Sequence, residues 1–583
     1  MGEFTNSSEK SGFHLKLWRG ERTTLIGMDV DQPEDDFVGF AIEAKCPGDK
    51  SFNPLLNRLA FSYPQEVSKA VTGFKNYSSL EAPFQKFRWL HFPSDGKPGT
   101  YSYRVTRMHM PRDNQLTQGD ALTLDIDLIP IIYQGFLDVG FTKNFASSQA
   151  YQQRYSGNPN IIPGDGEDPL TFKKVPGDVY EWLGYEAYEL IFNFLNEIKN
   201  DKSLSLDILA YDLNEPDIVA VLKALGPRVR AVIDNSGSHA PASSPESRVA
   251  AELQTTAGKG NVVRMKFSGL QHHKVLIAKK GNVAQKVLFG STNFSFRGLY
   301  IQANNAVVLY APEAADHFSK VFEAAFAGGK NFNANPLALQ WHLVNVASKP
   351  PVHLCFSPHQ DAGLSLNPIA AAIDQATSSV FFDIAFLNQM TSGPTHDSIN
   401  RLEGKNVFSY GICNTATGLQ VHKPDGSVGI VSFSYLAKKA PYPFAAEWSG
   451  MAAASKTQKG SKPAPGINQH NKFVVTDFNL PTAKVFTGSC NMSVSGEEKN
   501  GDNLVMIEDC EVATSYAIEA VRIFDHLEFR ARMKSQIEGK TNSQALKAIT
   551  LQKPQAISGK APWFQRFYNN DSQLQKDRLL FGH

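Results

Sequence analysis

Between about Phe13 and Pro130 the chain reads as short apolar stretches, FVGFAIEAK, KFRWLHFP, GTYSYRVTRMHM and ALTLDIDLIP, separated by Gly, Pro, Asp and Asn clusters. From Thr100 to Thr106 apolar and polar residues alternate after a Gly-Lys-Pro-Gly turn, the pattern of a strand with one wet face. The pattern predicts a β-sandwich over 1–130. The Gly/Pro/Asn-rich SGNPNIIPGDGEDP that begins at Ser156 falls in a linker expected over 131–165. Beyond it the period changes. VYEWLGYEAYELIFNFLNEIKN, Val179 to Asn200, has helical apolar spacing, LSLDILAYDL is an apolar strand, DIVAVLKAL a helix and RVRAVIDN a strand.

Helix and strand alternation with buried β-branched runs predicts an α/β domain with a largely parallel or mixed sheet. After Lys349-Pro350-Pro351 the order restarts: LNPIAAAIDQAT is helical, and SSVFFDIAFLN and KNVFSYGIC are strands. An amphipathic helix closes each half, Pro312 to Gly328 and Glu511 to Lys534. The expected division is a first half over 166–348, a second over 349–540, and a tail over 541–583 laid on the surface, since that stretch is polar and broken by Pro and Gly.

The restart carries a repeat of side-chain chemistry. GLQHHKVLIAKKGNVAQKVLFGSTNFSFRGLYIQANN, Gly269 to Asn305, answers to GINQHNKFVVTDFNLPTAKVFTGSCNMSVSGEEKNGDN, Gly466 to Asn503. His272 to Gly290 and His470 to Gly488 both span eighteen positions, Gly290 to Asn305 and Gly488 to Asn503 both span fifteen, and corresponding residues lie 198 apart. A single H-x-K means little; two copies, each followed at equal distance by G-S-x-N and a closing polar-Asn pair, point to duplication on a scale of about two hundred residues, too long for a solenoid repeat.

On a strand, His and Lys at i and i+2 emerge from one face, while His273 and Asn471 face the other way. Gly-Ser-x-Asn then supplies a close turn, a hydroxyl and an amide. Brought together, the halves would line one cleft with His272, His470, Lys274, Lys472, Ser291, Ser489, Asn293 and Asn491. Two imidazoles, two ammonium groups, hydroxyls and amides suit a tetrahedral oxyanion, most obviously a phosphodiester.

These blocks resemble the phospholipase D superfamily, whose members carry two H-x-K-x4-D motifs with downstream G-S/G-x-N elements. The second block matches closely through His470, Lys472, Asp477, Gly488, Ser489 and Asn491; in the first, Lys279 stands where the family has Asp. The resemblance covers about Glu167 to Lys540 and implies a fold of two pseudo-symmetric α/β halves forming one catalytic unit, here preceded by the β-sandwich. It further implies a metal-independent phosphodiesterase in which one histidine attacks phosphorus and the other protonates the leaving group and then activates water or an alcohol. No cofactor and no metal are expected, because the lysines supply the positive charge.

The residue before each closing Asn is Asn304 in the first block and Asp502 in the second. A carboxylate favours a protonated imidazole and an amide only orients a neutral ring, so His470 backed by Asp502 is the expected acid and His272 backed by Asn304 the expected nucleophile, unless the backing residues cross between halves. Ser291 and Ser489 read as turn hydroxyls with a secondary oxyanion contact. Asp477 is expected to orient its own block by a buried salt link.

Composition narrows the substrate less. The 58 Lys+Arg against 57 Asp+Glu give a net charge of +1, no global reason for tight binding to nucleic acid or anionic membrane. The loop-like segment Lys438 to Gly466 offers Tyr442, Phe444 and Trp448 followed by Lys456, Lys459 and Lys462, a mixture suited to a lipid headgroup boundary or to stacking on single-stranded bases. GSCNMSVSGEEKNGDN resembles small bacterial endonucleases of the superfamily, whereas near-neutral charge and an extra β domain favour phospholipid. Phospholipase D-type hydrolysis or head-group exchange is the leading expectation, with a nuclease or DNA-processing phosphodiesterase as the alternative and a phosphate- or lipid-binding module as the non-enzymatic one. Five scattered cysteines without C-x-x-C suggest free thiols in a reducing compartment. The start has no apolar signal region, although MGEF leaves open a removed one, and no apolar run reaches membrane-spanning length. A soluble, cytoplasmic protein with at most peripheral membrane contact is expected, and oligomerisation is not required for chemistry.

Overall fold

The computed structural model describes residues 4–63, 76–93, 96–129, 132–158, 160–164, 167–415, 418–422, 428–432, 469–537, 550–570 and 572–583. The chain divides into two compact units: 1–130 with 406–408 and 521–583, and 131–405 with 409–520.

In the first unit two four-stranded sheets stack as a sandwich. One has the order Thr5–Lys10, Phe13–Arg19, Thr24–Val30, Arg88–His91, and the other Thr117–Leu128, Gly99–His109, Phe37–Lys45, Asn53–Pro54, with every pairing antiparallel. The alternation read from the sequence decides the faces: Phe13, Leu15 and Leu17 from one sheet and Tyr101, Tyr103 and Val105 from the other are buried in a common core.

The C-terminal residues are not a surface tail. Trp563, Phe564 and Phe567 belong to that core, and the helix Gln573–Gly582 lies on the strand Thr24–Val30. The approach is close enough that a β-carbon at Gly27 would stand 1.8 Å from the carbonyl oxygen of Phe581. Buried charge is paired on the spot, Arg88 with Asp525 at 2.5 Å and Asp577 at 2.6 Å. Polar composition suggested a tail, but a few aromatics spaced among polar residues suffice to fill a sandwich end.

The second unit holds both copies of the repeated block. Its first sheet runs Leu137–Phe141, Asn305–Leu309, Val283–Gly290, Lys274–Lys280, Leu204–Ala210, Val229–Asp234, Val262–Met265. Its second runs His342–Val344, Val352–Ser357, Asp502–Ile507, Lys484–Gly488, Lys472–Thr476, Ser379–Ile384, Phe408–Asn414, Gly418–His422, Val428–Ser432. In both, the H-x-K strand lies between the strand that ends in Gly-Ser and an apolar strand from earlier in its half. Lys274 stands opposite Ala210 and Lys472 opposite Ile384. The first sheet is mixed: Leu204–Ala210, Val229–Asp234 and Val262–Met265 run parallel and the rest antiparallel. The helix Val179–Asn200 buries Ile191, Leu195 and Ile198 at the helical period. Part of the expected linker is structural, since Leu137–Phe141 forms an edge of the first sheet. All five cysteines are free, and among the described residues no helix is long and apolar enough to cross a membrane.

The Lys279 departure has a local explanation. Among the described residues Asp477 makes no salt link: its carboxylate accepts the backbone N–H groups of Thr377 (3.0 Å), Ser378 (2.7 Å) and Ser379 (3.2 Å), capping the turn that enters Ser379–Ile384. At the corresponding turn in the first half Asp201 does this job from within, accepting Ser203 N–H at 2.8 Å. With the cap supplied there, position 279 is released, and Lys279 instead lies 3.3 Å from the carboxylate of Asp207. Replacing Asp477 by Ala leaves three backbone donors, that of Ser379 buried, without a charged acceptor and is expected to destabilise the protein by about 1–3 kcal/mol in chemical denaturation; Lys279→Asp, which gains no turn to cap, is expected to give no increase in stability.

Candidate active site

Each H-x-K strand enters its sheet from a segment clipped to the other half. Gln271 bridges to Gly501 and Gln469 to Ala303; the backbone N–H of His272 donates to Gly501 O at 2.9 Å, and that of His470 to Ala303 O at 3.1 Å. The closing loop of each half therefore lies over the histidine of the other.

This crosses the side-chain partners relative to the in-block pairing expected from the sequence. His272 Nδ1 is 2.7 Å from Asp502 Oδ1, and His470 Nδ1 is 2.8 Å from Asn304 Oδ1. Asp502 Oδ1 also accepts from Ser489 Oγ at 2.6 Å. Asn304 Nδ2 donates to Gly298 O at 2.9 Å, which turns its oxygen toward the imidazole. His470 Nδ1 has a second acceptor, Ser291 O, at 3.1 Å. Both rings thus carry hydrogen on Nδ1, and when neutral each keeps the Nε2 lone pair.

The intervening residues complete the exchange. Asn305 Nδ2 donates to Asn471 Oδ1 at 3.3 Å, and Asn503 Nδ2 to His273 Nδ1 at 3.1 Å. His273 and Asn471, read as facing away, thus brace the seam. Ser291 and Ser489 accept the backbone N–H groups of Asn305 and Asn503, each at 3.0 Å, as turn hydroxyls. Glycine is needed at 290 and 488, where φ is +149° and +137° and a β-carbon would lie 2.4 Å from the carbonyl oxygens of Asn305 and Asn503.

Burial sets the protonation. His272 and His470 are held well below the usual imidazole range, first by burial and then by Lys274 and Lys472, and His272 itself contributes to the depression of His470. Burial brings Lys274 down to about 8, and burial together with Lys274 pushes Lys472 well below its ordinary value. Burial raises Asp502 to about 6. Lys274 Nζ reaches the carbonyl of its own His272, and Lys472 Nζ that of His470 at 2.6 Å. Four bases, all lowered by burial and both imidazoles further lowered by the two lysines, occupy one buried place, and a bound anion would oppose each depression.

Asn293 donates through Nδ2 to Asp212 at 2.8 Å; its Oδ1 and that of Asn491 are buried without a protein partner. Tyr442, Phe444 and Trp448, with the lysines that follow, lie outside the described residues. Sequence reasoning missed Tyr211, whose ring stands edge-on to His272 at 4.8 Å, and Asp212. Neither is repeated in the second half, where Ala385 and Phe386 follow the matching strand. Their position just past the carboxyl end of a sheet strand was the available signal.

Residues 194–326 match the family model described as Cardiolipin synthase, PLD-like domain. Phospholipase D of Rickettsia bellii is 39% identical over 62 residues, 11% of this chain and 28% of that protein, so the match spans little more than a quarter of the relative's length. Among solved structures, Nuc of Salmonella typhimurium, a phospholipase D family member, is 24% identical over 23% of this chain and 86% of that chain with a TM-score of 0.20. Phosphatidylserine synthase of Haemophilus influenzae is 13% identical over 58% and 84%, with a TM-score of 0.39. The matched segment and the two H-x-K and G-S-x-N blocks are what this chain has in common with the phospholipase D superfamily.

Proposed function

We propose that the protein is a phosphodiesterase working through a phosphohistidine, with His272 as nucleophile and His470 as acid and then base. The observation that carries this reading is the pair of buried imidazoles at one seam, each with Nδ1–H engaged by the opposite half and two lysines alongside. Attack by His272 Nε2 forms a P–N bond and leaves positive charge on the ring, and Asp502 on Nδ1 is placed to offset it. His470 has only neutral acceptors, so a proton on its Nε2 is not locked by a carboxylate. With the partners crossed, the rule that a carboxylate marks the acid would make His272 the acid; the positive charge that attack leaves on the ring, which Asp502 alone is placed to offset, assigns the nucleophile to His272 instead.

The bound phosphodiester anion raises the basicity of His470, whose Nε2–H then protonates the leaving oxygen as its bond to phosphorus breaks. His470 next takes a proton from water or an alcohol, the new oxygen attacks phosphorus, and the P–N bond breaks to restore His272. Lys274, Lys472, Asn293 and Asn491 would hold the nonbridging oxygens.

For the substrate, phospholipid is the leading reading, supported by the phospholipase D named among the relatives and by the near-neutral net charge. The likeness of GSCNMSVSGEEKNGDN to small endonucleases keeps nucleic acid as the second reading. In EDTA, incubation with phosphatidylcholine vesicles is expected to release choline while single-stranded DNA stays intact; cleaved DNA without choline reverses the substrate, and binding of vesicles without turnover of either leaves a binding module. His272→Ala is expected to lower turnover at least about a thousandfold, and His470→Asn to accumulate an acid-labile adduct whose mass maps to His272. An adduct on His470 in the reciprocal variant His272→Asn would exchange the roles.

The lysines give a pH dependence of known sign. Lys274 is charged below about 8 and neutral above it in the empty site. Calorimetric affinity for tungstate, a dianion throughout the range, is therefore expected to hold below pH 8 and to fall above it, by at most about tenfold per unit for each proton lost. In Lys274→Met the affinity is lower and this step is absent.

A further inference from the structure

Among the described residues, one buried charged cluster beside the first block has no counterpart beside the second. The strand Leu204–Ala210 continues past its pairing with Lys274 into Tyr211 and Asp212, whereas Ser379–Ile384 continues past Lys472 into Ala385 and Phe386. His239, 3% exposed, is held between two carboxylates. Its Nδ1 is 2.8 Å from Asp234 Oδ2 and its Nε2 3.0 Å from Asp212 Oδ1. Neither carboxylate can donate when ionised, so both ring nitrogens do, and the ring is a cation. Burial opposes that charge, but the hydrogen bonds to Asp212 and Asp234 outweigh it and bring His239 up to about 10.

Each carboxylate uses its other oxygen on the catalytic block. Asp212 Oδ2 accepts Asn293 Nδ2 at 2.8 Å, leaving the second N–H of that amide for a nonbridging oxygen. Asp234 Oδ1 accepts the backbone N–H of Gln271 at 2.8 Å, one residue before His272. The Tyr211 ring meets both imidazoles edge-on, His239 at 4.6 Å and His272 at 4.8 Å. The rear of the cluster is braced too: Arg264 Nη2 donates to His239 O at 2.6 Å and Asp234 O at 2.8 Å, and Glu246 Oε1 lies 3.9 Å from His239 Nε2.

We propose that His239 is a positioning residue, holding the Asn293 amide through Asp212 and the backbone that carries His272 through Asp234. Without it, Asp212 and Asp234 lose the cation that bridges them, and their mutual repulsion would loosen the hold of Asp212 on the amide. The amide would then lose the orientation that makes it useful only when charge accumulates on the phosphoryl oxygens. The second half needs no such charge, since Phe386 leaves no carboxylate to hold.

This inference rests on the phosphodiesterase reading and is tested with a substrate that ignores its lipid or nucleic-acid branch, bis(p-nitrophenyl) phosphate. His239→Ala and Asn293→Ala are each expected to lower kcat on the order of a hundredfold with KM little changed. The double variant should fall well short of the product of the two losses, because one of the two routes by which His239 acts runs through Asn293. His239→Gln, uncharged but able to donate to one carboxylate, should lie between, and it carries the cycle if His239→Ala does not fold. Multiplying losses in the double variant, or full activity in His239→Ala, would overturn the inference. Should the wild type turn over no phosphodiester, the functional reading fails instead, and the same cycle read in tungstate affinity decides whether His239 and Asn293 are coupled.

Discussion

Neither imidazole is completed by its own half. His272 takes its carboxylate from the second closing loop and His470 its amide from the first, and the backbone N–H of each histidine is clipped to the same loop that supplies its side-chain partner. The remainder of the site follows from this exchange. Glycine at 290 and 488 lets the closing loops come within contact of the turning strands, the serines brace those loops, and His273 with Asn471 spans the seam behind the reacting rings. A duplicated fold whose halves merely touched would leave two buried imidazoles with unsatisfied N–H groups, a cost of about 1–3 kcal/mol each.

The electrostatics are arranged against the empty protein. Lysines and imidazoles are buried together, the lysines depress both imidazoles, and the carboxylate beside His272, Asp502, is itself pushed up by burial. Such an arrangement lowers stability and is retained where a ligand supplies the missing charge. Donors fixed in advance around a place where negative charge will collect need no reorganisation when it does.

Much of this was legible in the sequence. The H-x-K spacing and its recurrence located two strands that occupy equivalent places in the two sheets, and period-two alternation located the sandwich, because in both cases a regular backbone imposes its repeat on side-chain chemistry. What escaped has no repeat. Crossing of Asp502 and Asn304 depends on how two distant loops dock, and spacing within a block is the same for either pairing. Asp477 was expected in a salt link, whereas its carboxylate accepts backbone N–H groups, an arrangement that leaves no trace in the sequence. Lys279 departs from the motif at a turn that Asp201 caps instead, an exchange of caps that no spacing records. Tyr211, Asp212 and His239 lie far apart or unrepeated along the chain and meet only through the parallel strands Leu204–Ala210 and Val229–Asp234.

The aromatic residues Trp563, Phe564 and Phe567 that fill the end of the sandwich leave the ribosome after everything else in that unit except the helix that follows them. The first strands to be synthesised must therefore wait, with part of their apolar interior uncovered, while several hundred residues of the other unit emerge. Translation order and folding order are inverted for this sandwich, and its unfinished face is a natural client for a chaperone during synthesis.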